Sequence, residues 1–143
     1  MYKGYLETKY GIIEITTDDN YLIELKIIDN HDEHKINENK IVEEAKKQLK
    51  EYFDGELEKF DLPIYFDDSF RSRVLKSLYE TPTGDVLTYK VLAEMNDSKA
   101  HRAVGTAMAT NKIPIIIPCH RVIKSDGSVG NYYYGSKMKE DLL

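Results

Sequence analysis

Residues 87–111 read "LTYKVLAEMNDSKAHRAVGTAMATN", and their punctuation predicts two short helices joined by a tight polar turn. Thr88 is placed to cap a helix running through Met95, because a hydroxyl there accepts one of the free amide hydrogens of the first turn. Asn96 and Asp97 make the turn, and Ser98 caps a second helix from residue 99 to about 109. This is the helix-turn-helix pattern, which occurs in proteins that read nucleic acid and in many that never touch it. The second helix is slim. Ala100, Ala103, Gly105, Ala107 and Ala109 leave it little side-chain bulk, although glycine costs a helix about 1 kcal/mol against alanine. Either it packs tightly on a neighbouring helix, or something outside the fold comes close to it. His101 and Arg102 stand out from this bare surface.

Working outward, "SFRSRVLKSLYETPTG" (69–84) predicts a helix capped by Ser69. Phe70, Val74, Leu75 and Leu78 line one face, and Pro82 and Gly84 end it. After Asn111, "IPIIIP" (113–118) is too short for a helix and rich in β-branched residues, so it reads as a buried strand-like segment. Pro118 closes it, since proline cannot donate to a ladder. Beyond lie a turn-rich, tyrosine-rich loop, "KSDGSVGNYYYGS" (124–136), and "KMKEDLL" (137–143), the start of a last helix.

The front half reads differently. "YGIIEITTDDNYLIELKII" (10–28) alternates apolar and polar residues on either side of a turn cluster, the pattern of a two-stranded hairpin. Its cover is a helix over 39–53, with Ile41, Val42, Ala45, Leu49, Tyr52 and Phe53 at helical spacing and Asn39 as cap. The chain leaves this helix at Gly55 and returns extended through Pro63. The expected fold class is therefore α+β: a small N-terminal α/β scaffold domain over 1–66, without a catalytic constellation, and a C-terminal helix-turn-helix domain over 67–143.

Composition narrows the function classes. Of 143 residues, 41% are hydrophobic and 31% charged, which describes a folding, water-soluble chain. No leader pattern and no long apolar run is present, so a cytoplasmic or nuclear protein is expected, without a membrane partner. The net charge of −5 argues against a polyanionic partner, but the average misleads. Residues 1–66 carry 9 lysines against 16 acids, residues 67–143 carry 11 basic residues against 9 acids, and within 71–124 the balance is 9 against 4. Any anionic partner meets the second half. One cysteine makes no internal disulfide, and with four scattered histidines it makes no cysteine-rich zinc site.

That cysteine, Cys119, sits in "IPCHRVI" (117–123). Beside an isoleucine run, a lone cysteine is commonly a packed structural thiol. A nucleophile needs more, because a free thiol with a pKa of about 8.5 is only a few per cent thiolate at neutral pH and calls for a base and positive charge nearby. His120 and Arg121 offer both. Adjacent side chains in extended chain point apart, so a water is the expected link between Cys119 and His120.

With "RAVGTAMATN" (102–111) before it, "TYKVLA" (88–93) earlier and "GSVGNY" (127–132) after it, the cysteine motif resembles that of the O6-alkylguanine-DNA alkyltransferases, the methylated-DNA–protein-cysteine methyltransferases. The resemblance covers about residues 69–143 in order and spacing, and the front half is similar to the family's N-terminal α/β domain in placement and pattern. It implies irreversible, single-turnover transfer of the alkyl group from O6-alkylguanine in double-stranded DNA to Cys119, with O4-alkylthymine as a second candidate substrate. It also implies a monomer and no cofactor. The zinc site of some relatives needs N-terminal cysteines, which this sequence lacks.

By the same resemblance, the damaged base is flipped out of the duplex into a pocket beside the cysteine. Cys119 is the acceptor, and His120 takes its proton through water. Tyr89 assists rotation and protonates the leaving guanine, and Asn111 holds the turn before the cysteine. Arg102 fills the gap left in the stack. Ala103, Gly105 and Ser98 join Arg102 and Tyr89 at the DNA, where a helix lying in the minor groove, about 6 Å wide, has no room for bulk. Val122, Tyr132, Tyr133 and Met108 line the base pocket, with the backbone of Val122, Cys119 and Tyr132 reading the base.

The sequence also departs from the family. A glutamate several residues beyond the positions of Leu142 and Leu143 orients the histidine in relatives, and Glu140 lies on the wrong side of that pair to replace it. Tyr133 and Tyr134 stand where many relatives carry small residues, which narrows the pocket, and the turn between the paired helices is about one residue shorter. The alternative reading is a non-transferring sensor that flags alkylated DNA to other repair factors. Relatives of that kind lack the cysteine. A cysteine hydrolase would show turnover, and a transcription regulator would show strong sequence preference.

Overall fold

The computed structural model describes residues 1–29, 36–57, 59–81, 87–96, 101–124, 138–139 and 142. They fall into two compact units, Met1–Tyr65 and Phe66–Leu143.

In the first unit, β1 (Tyr2–Thr8), β2 (Gly11–Thr17) and β3 (Leu22–Ile28) form an antiparallel sheet in that order. The predicted hairpin is β2 and β3, pairing Ile13 with Ile27 and Ile15 with Leu25, with a register irregularity between Thr16 and Thr17. β1 was not expected. It pairs along its whole length with β2 although Lys3 and Gly4 interrupt its alternation, so pairing geometry rather than pattern decides it. Helix α1 (Lys40–Phe53) packs on β1 and β2 and buries Val42, Ala45 and Leu49, while Ile13 and Ile15 of β2 are fully buried. Each such fully buried valine, leucine or isoleucine side chain contributes about 1.5–3 kcal/mol. Gly4 permits the close approach, since a Cβ there would lie 2.4 Å from Val42 Cγ1.

Asn39 caps α1 as predicted. Its Oδ1 accepts from the Val42 amide at 3.0 Å and from Thr17 Oγ1 at 3.1 Å, while its Nδ2 donates to the Asp18 carbonyl at 3.1 Å. One side chain thus closes the helix and ties it to the hairpin turn. At the other end the chain turns at Gly55 with φ +74°, a conformation glycine adopts without steric cost. Buried Gln48 then pins the returning segment through both the amide and the carbonyl of Asp61, at 2.9 and 3.0 Å.

In the second unit, α2 (Phe70–Tyr79), α3 (Tyr89–Met95) and α4 (His101–Ala109) pack pairwise on one another. Ser69 caps α2 by accepting from the Ser72 amide, and Thr88 caps α3 by accepting from Val91 at 3.1 Å, both as read from the sequence. The expected cap Ser98 lies outside the described residues. α4 buries Val104 and Ala107, and its C-terminus is closed by Arg71, whose guanidinium donates to both the hydroxyl and the carbonyl of Thr110. Two-residue strands β4 (Leu87–Thr88) and β5 (Val122–Ile123) pair in parallel, Leu87 with Val122 and Thr88 with Ile123.

One expectation fails. Residues 113–117 are buried, but they form turns rather than a strand-like segment. Their polar backbone groups are satisfied locally: Ile116 donates to Pro114 at 2.8 Å, Ile117 to Ile113 at 2.9 Å, and Cys119 to Ile117 at 2.8 Å. Ile115 takes φ +72°, rare for a β-branched residue, which breaks any extended path. Pro114 lacks the amide a ladder would need, and β-branching alone misled the pattern.

Candidate active site

The β4–β5 pair sets the geometry of the site. Thr88 ends β4 and caps α3, so Tyr89 is the first residue of that helix. Val122 begins β5 and closes a single 3-10 turn, Cys119–Arg121, by donating its amide to the Cys119 carbonyl. Pairing Leu87 with Val122 therefore brings the helix start carrying Tyr89 beside the turn carrying Cys119.

Asn111 braces the approach to the cysteine. Its Oδ1 accepts from the Ile113 amide and its Nδ2 donates to the Ile117 carbonyl, both at 3.0 Å. Cys119 is 7% exposed. Burial pushes its thiol up from the ordinary range, while a hydrogen bond from Asn111 and the charge of Lys139 pull the other way. His120 is wholly buried, and burial, with the charges of Arg121 and Lys139, pushes it down to about 3. Its imidazole is neutral at physiological pH. Tyr89 is raised by burial and then by the neighbouring Cys119 charge, so its phenol keeps its proton. At rest, then, the site holds a neutral thiol, a neutral imidazole and a protonated phenol.

The structure brings Cys119, His120, Val122, Tyr89 and Asn111 into one neighbourhood at the β4–β5 junction. Arg102 is exposed on α4, while Ala103, Gly105 and Met108 on the same helix are half-buried. A Cβ added at Gly105 would meet nothing within 4 Å, so packing does not require glycine at that position. Ser98, Tyr132, Tyr133 and Tyr134 lie outside the described residues. Among the described residues no group of three or more His, Cys, Asp and Glu could hold a metal ion, and no helix is long and apolar enough to cross a membrane.

Sequence reading missed Lys139. It is helical, fully buried, and its Nζ lies 5.7 Å from the centroid of the Tyr89 ring. A signal existed: Lys139 stands three residues before Leu142, the spacing at which a helix would put both on one face, where an apolar residue would be the norm.

Comparison with known proteins gives a consistent result. The family described as "6-O-methylguanine DNA methyltransferase, DNA binding domain" matches residues 69–143, and "6-O-methylguanine DNA methyltransferase, ribonuclease-like domain" matches residues 1–66. The methylated-DNA–protein-cysteine methyltransferase of Methanosarcina acetivorans is 37% identical over 151 aligned positions, spanning 100% of this chain and 96% of its own length. That of Methanosarcina barkeri is 46% identical over 110 residues, 76% of this chain and 70% of its own. The crystal structure of Mycobacterium tuberculosis OGT in complex with DNA superposes with a TM-score of 0.87 at 30% identity, covering 100% of this chain and 91% of that one.

Proposed function

Because the chain belongs to the 6-O-methylguanine DNA methyltransferase family, we propose that it repairs DNA by moving the alkyl group of O6-alkylguanine onto its own Cys119. It is a methylated-DNA–protein-cysteine methyltransferase, and DNA is its partner. In the transfer, the Cys119 sulfur attacks the alkyl carbon, the sulfur–carbon bond forms and the carbon–O6 bond breaks. The bonding pair goes to the guanine, which leaves after gaining a proton. The thioether has no leaving route, so each molecule acts once.

The single observation that carries this reading is the placement of the chain's one thiol, in the family's motif, beside a protonated Tyr89. We assign the roles as follows. Tyr89 supplies the proton to the departing base, in keeping with its raised phenol. By the family resemblance we assign His120 the thiol proton, taken through a water as charge leaves the sulfur, a role that its pKa of about 3 in the resting site does not by itself favour. Arg102 occupies the gap left by the flipped base. Ala103, Gly105 and Ser98 face the duplex, while Val122, Met108, Tyr132 and Tyr133 line the base pocket. The Val122 amide is bonded to the Cys119 carbonyl, and by the family resemblance we assign the Val122 carbonyl to the base. Residues 1–66 serve as scaffold and 67–143 as the DNA-binding and acceptor domain, in a monomer that works where DNA is kept, the cytoplasm or a nucleus. The sensor reading is not favoured, since the acceptor cysteine is present.

Incubation with a duplex carrying O6-methylguanine, followed by intact mass measurement, tests the reading. The expected result is one methyl in place of the thiol hydrogen, abolished in Cys119→Ala. No gain, or a gain that survives the substitution, overturns it.

A further inference from the structure

Arg71 breaks a local rule. It is the second residue of α2, whose first turn carries no acid, and a cation there opposes that helix's own dipole. The same guanidinium lies at the C-terminus of α4, where a cation is favoured. Its Nε donates to Thr110 Oγ1 at 2.8 Å and its Nη2 to the Thr110 carbonyl, across 39 positions of sequence.

Thr110 passes this tie in two directions. Backward, its hydroxyl donates to the Thr106 carbonyl at 2.9 Å and the Thr106 hydroxyl donates to the Arg102 carbonyl at 3.1 Å, so the bonds run along the exposed face of α4. Forward, the Thr110 carbonyl belongs to the peptide that enters Asn111. That carbonyl lies past the helix end, without an intrahelical donor, and accepts from Arg71, while the Asn111 amide donates to the Met108 carbonyl at 3.3 Å. The amide bond is longer than usual, so the guanidinium is the stronger hold. A peptide unit is planar and rigid, and this one turns only by losing a bond. The Asn111 side chain starts just beyond it and meets the Ile113 amide and the Ile117 carbonyl, both at 3.0 Å.

We propose that Arg71 is a positioning residue for the transfer: by fixing the peptide between Thr110 and Asn111, it holds the Asn111 side chain on the buried turns that lead into Cys119. This rests on the reading of Cys119 as alkyl acceptor. Arg71 acts through Thr110 and Asn111, without contact to the reacting atoms. The competing role for an exposed arginine beside α4 is phosphate contact, but here two of its nitrogens are committed to Thr110. Positioning of the sulfur acts on the chemical step whether the base arrives in a duplex or alone, and a misplacement on the order of 1 Å costs up to about a hundredfold in rate.

The test measures single-turnover methyl transfer in the full chain, against the concentration of an O6-methylguanine duplex and against the free base, in the wild type, Arg71→Ala and Arg71→Lys. In Arg71→Ala the maximal rate should fall about threefold or more on both substrates, with the half-saturating duplex concentration little changed. Arg71→Lys keeps the charge and loses the fork, so it should restore little of the rate. Arg71→Ala should also cost less in a Thr110→Val background than in the wild type, because the two side chains share a bond. A loss confined to the half-saturating duplex concentration points to phosphate contact and overturns the proposal, as does a lowered urea midpoint with an unchanged maximal rate. Hydrogen exchange of the Ile113 amide, read by NMR, needs no chemistry: it should quicken in Arg71→Ala, and unchanged protection overturns the proposal. Wild-type transfer is the control. Its absence overturns the alkyltransferase reading, while the Ile113 exchange still decides whether Arg71 holds Asn111.

Discussion

The Asn111 side chain donates to the Ile117 carbonyl at 3.0 Å, across the buried turns that lead into Cys119. With the bond it accepts from Ile113, it holds both ends of a segment that has no ladder partner. Replacing Asn111 with alanine leaves the Ile117 carbonyl and Ile113 amide without these partners, at a cost of about 1–3 kcal/mol. Urea unfolding should show that loss. The transfer rate of the folded fraction should drop as well, because the same side chain lowers the Cys119 thiol.

Gly105 separates packing from DNA contact. With open space where a Cβ would stand, Gly105→Ala should stabilise α4 by up to about 1 kcal/mol. DNA affinity should nevertheless fall, measured by fluorescence anisotropy on a duplex, if the backbone of α4 approaches the groove. Unchanged affinity would remove Gly105 from the interface.

His120 gives the fold an acid sensitivity. Its pKa is about 3 in the folded chain against 6.5 when solvated. Above pH 6.5 both states are neutral and stability does not depend on this group. Below it the unfolded chain takes a proton that the folded one refuses, so stability falls down to about pH 3, by at most about 1.4 kcal/mol per pH unit. Between pH 7 and 5 the loss should be about 2 kcal/mol, and His120→Gln should flatten it. Transfer should also slow in that variant with DNA affinity little changed. An equal rate would remove His120 from the mechanism.

Arg102→Ala should impair repair of double-stranded substrate by tenfold or more, on the order of 1.4 kcal/mol, yet leave reaction with the free base O6-methylguanine nearly unchanged, since a free base needs no flipping. Equal losses on both substrates would contradict its place in the stack.

The legible parts of this chain were those written in local chemistry. Asn39, Ser69 and Thr88 each announce a helix start, and each accepts the predicted amide. The family resemblance pointed to Cys119, Asn111 and Tyr89, and the fold brings the three into one neighbourhood. What escaped was decided by partners that the local pattern does not show. β1 exists because β2 pairs with it despite Lys3 and Gly4. The isoleucine run turns because Asn111 satisfies its backbone from the side. Lys139 reads as a surface charge until the fold brings Tyr89 beside it.

A protein consumed by its own reaction faces attrition, since any stray electrophile that reaches the sulfur first removes a molecule from service. Cys119, 7% exposed and kept mainly as a thiol by burial, is guarded against that waste, because the thiolate is the form such compounds attack. The same burial that makes the resting sulfur sluggish thus sets its shelf life, keeping the pool of unused molecules intact between lesions.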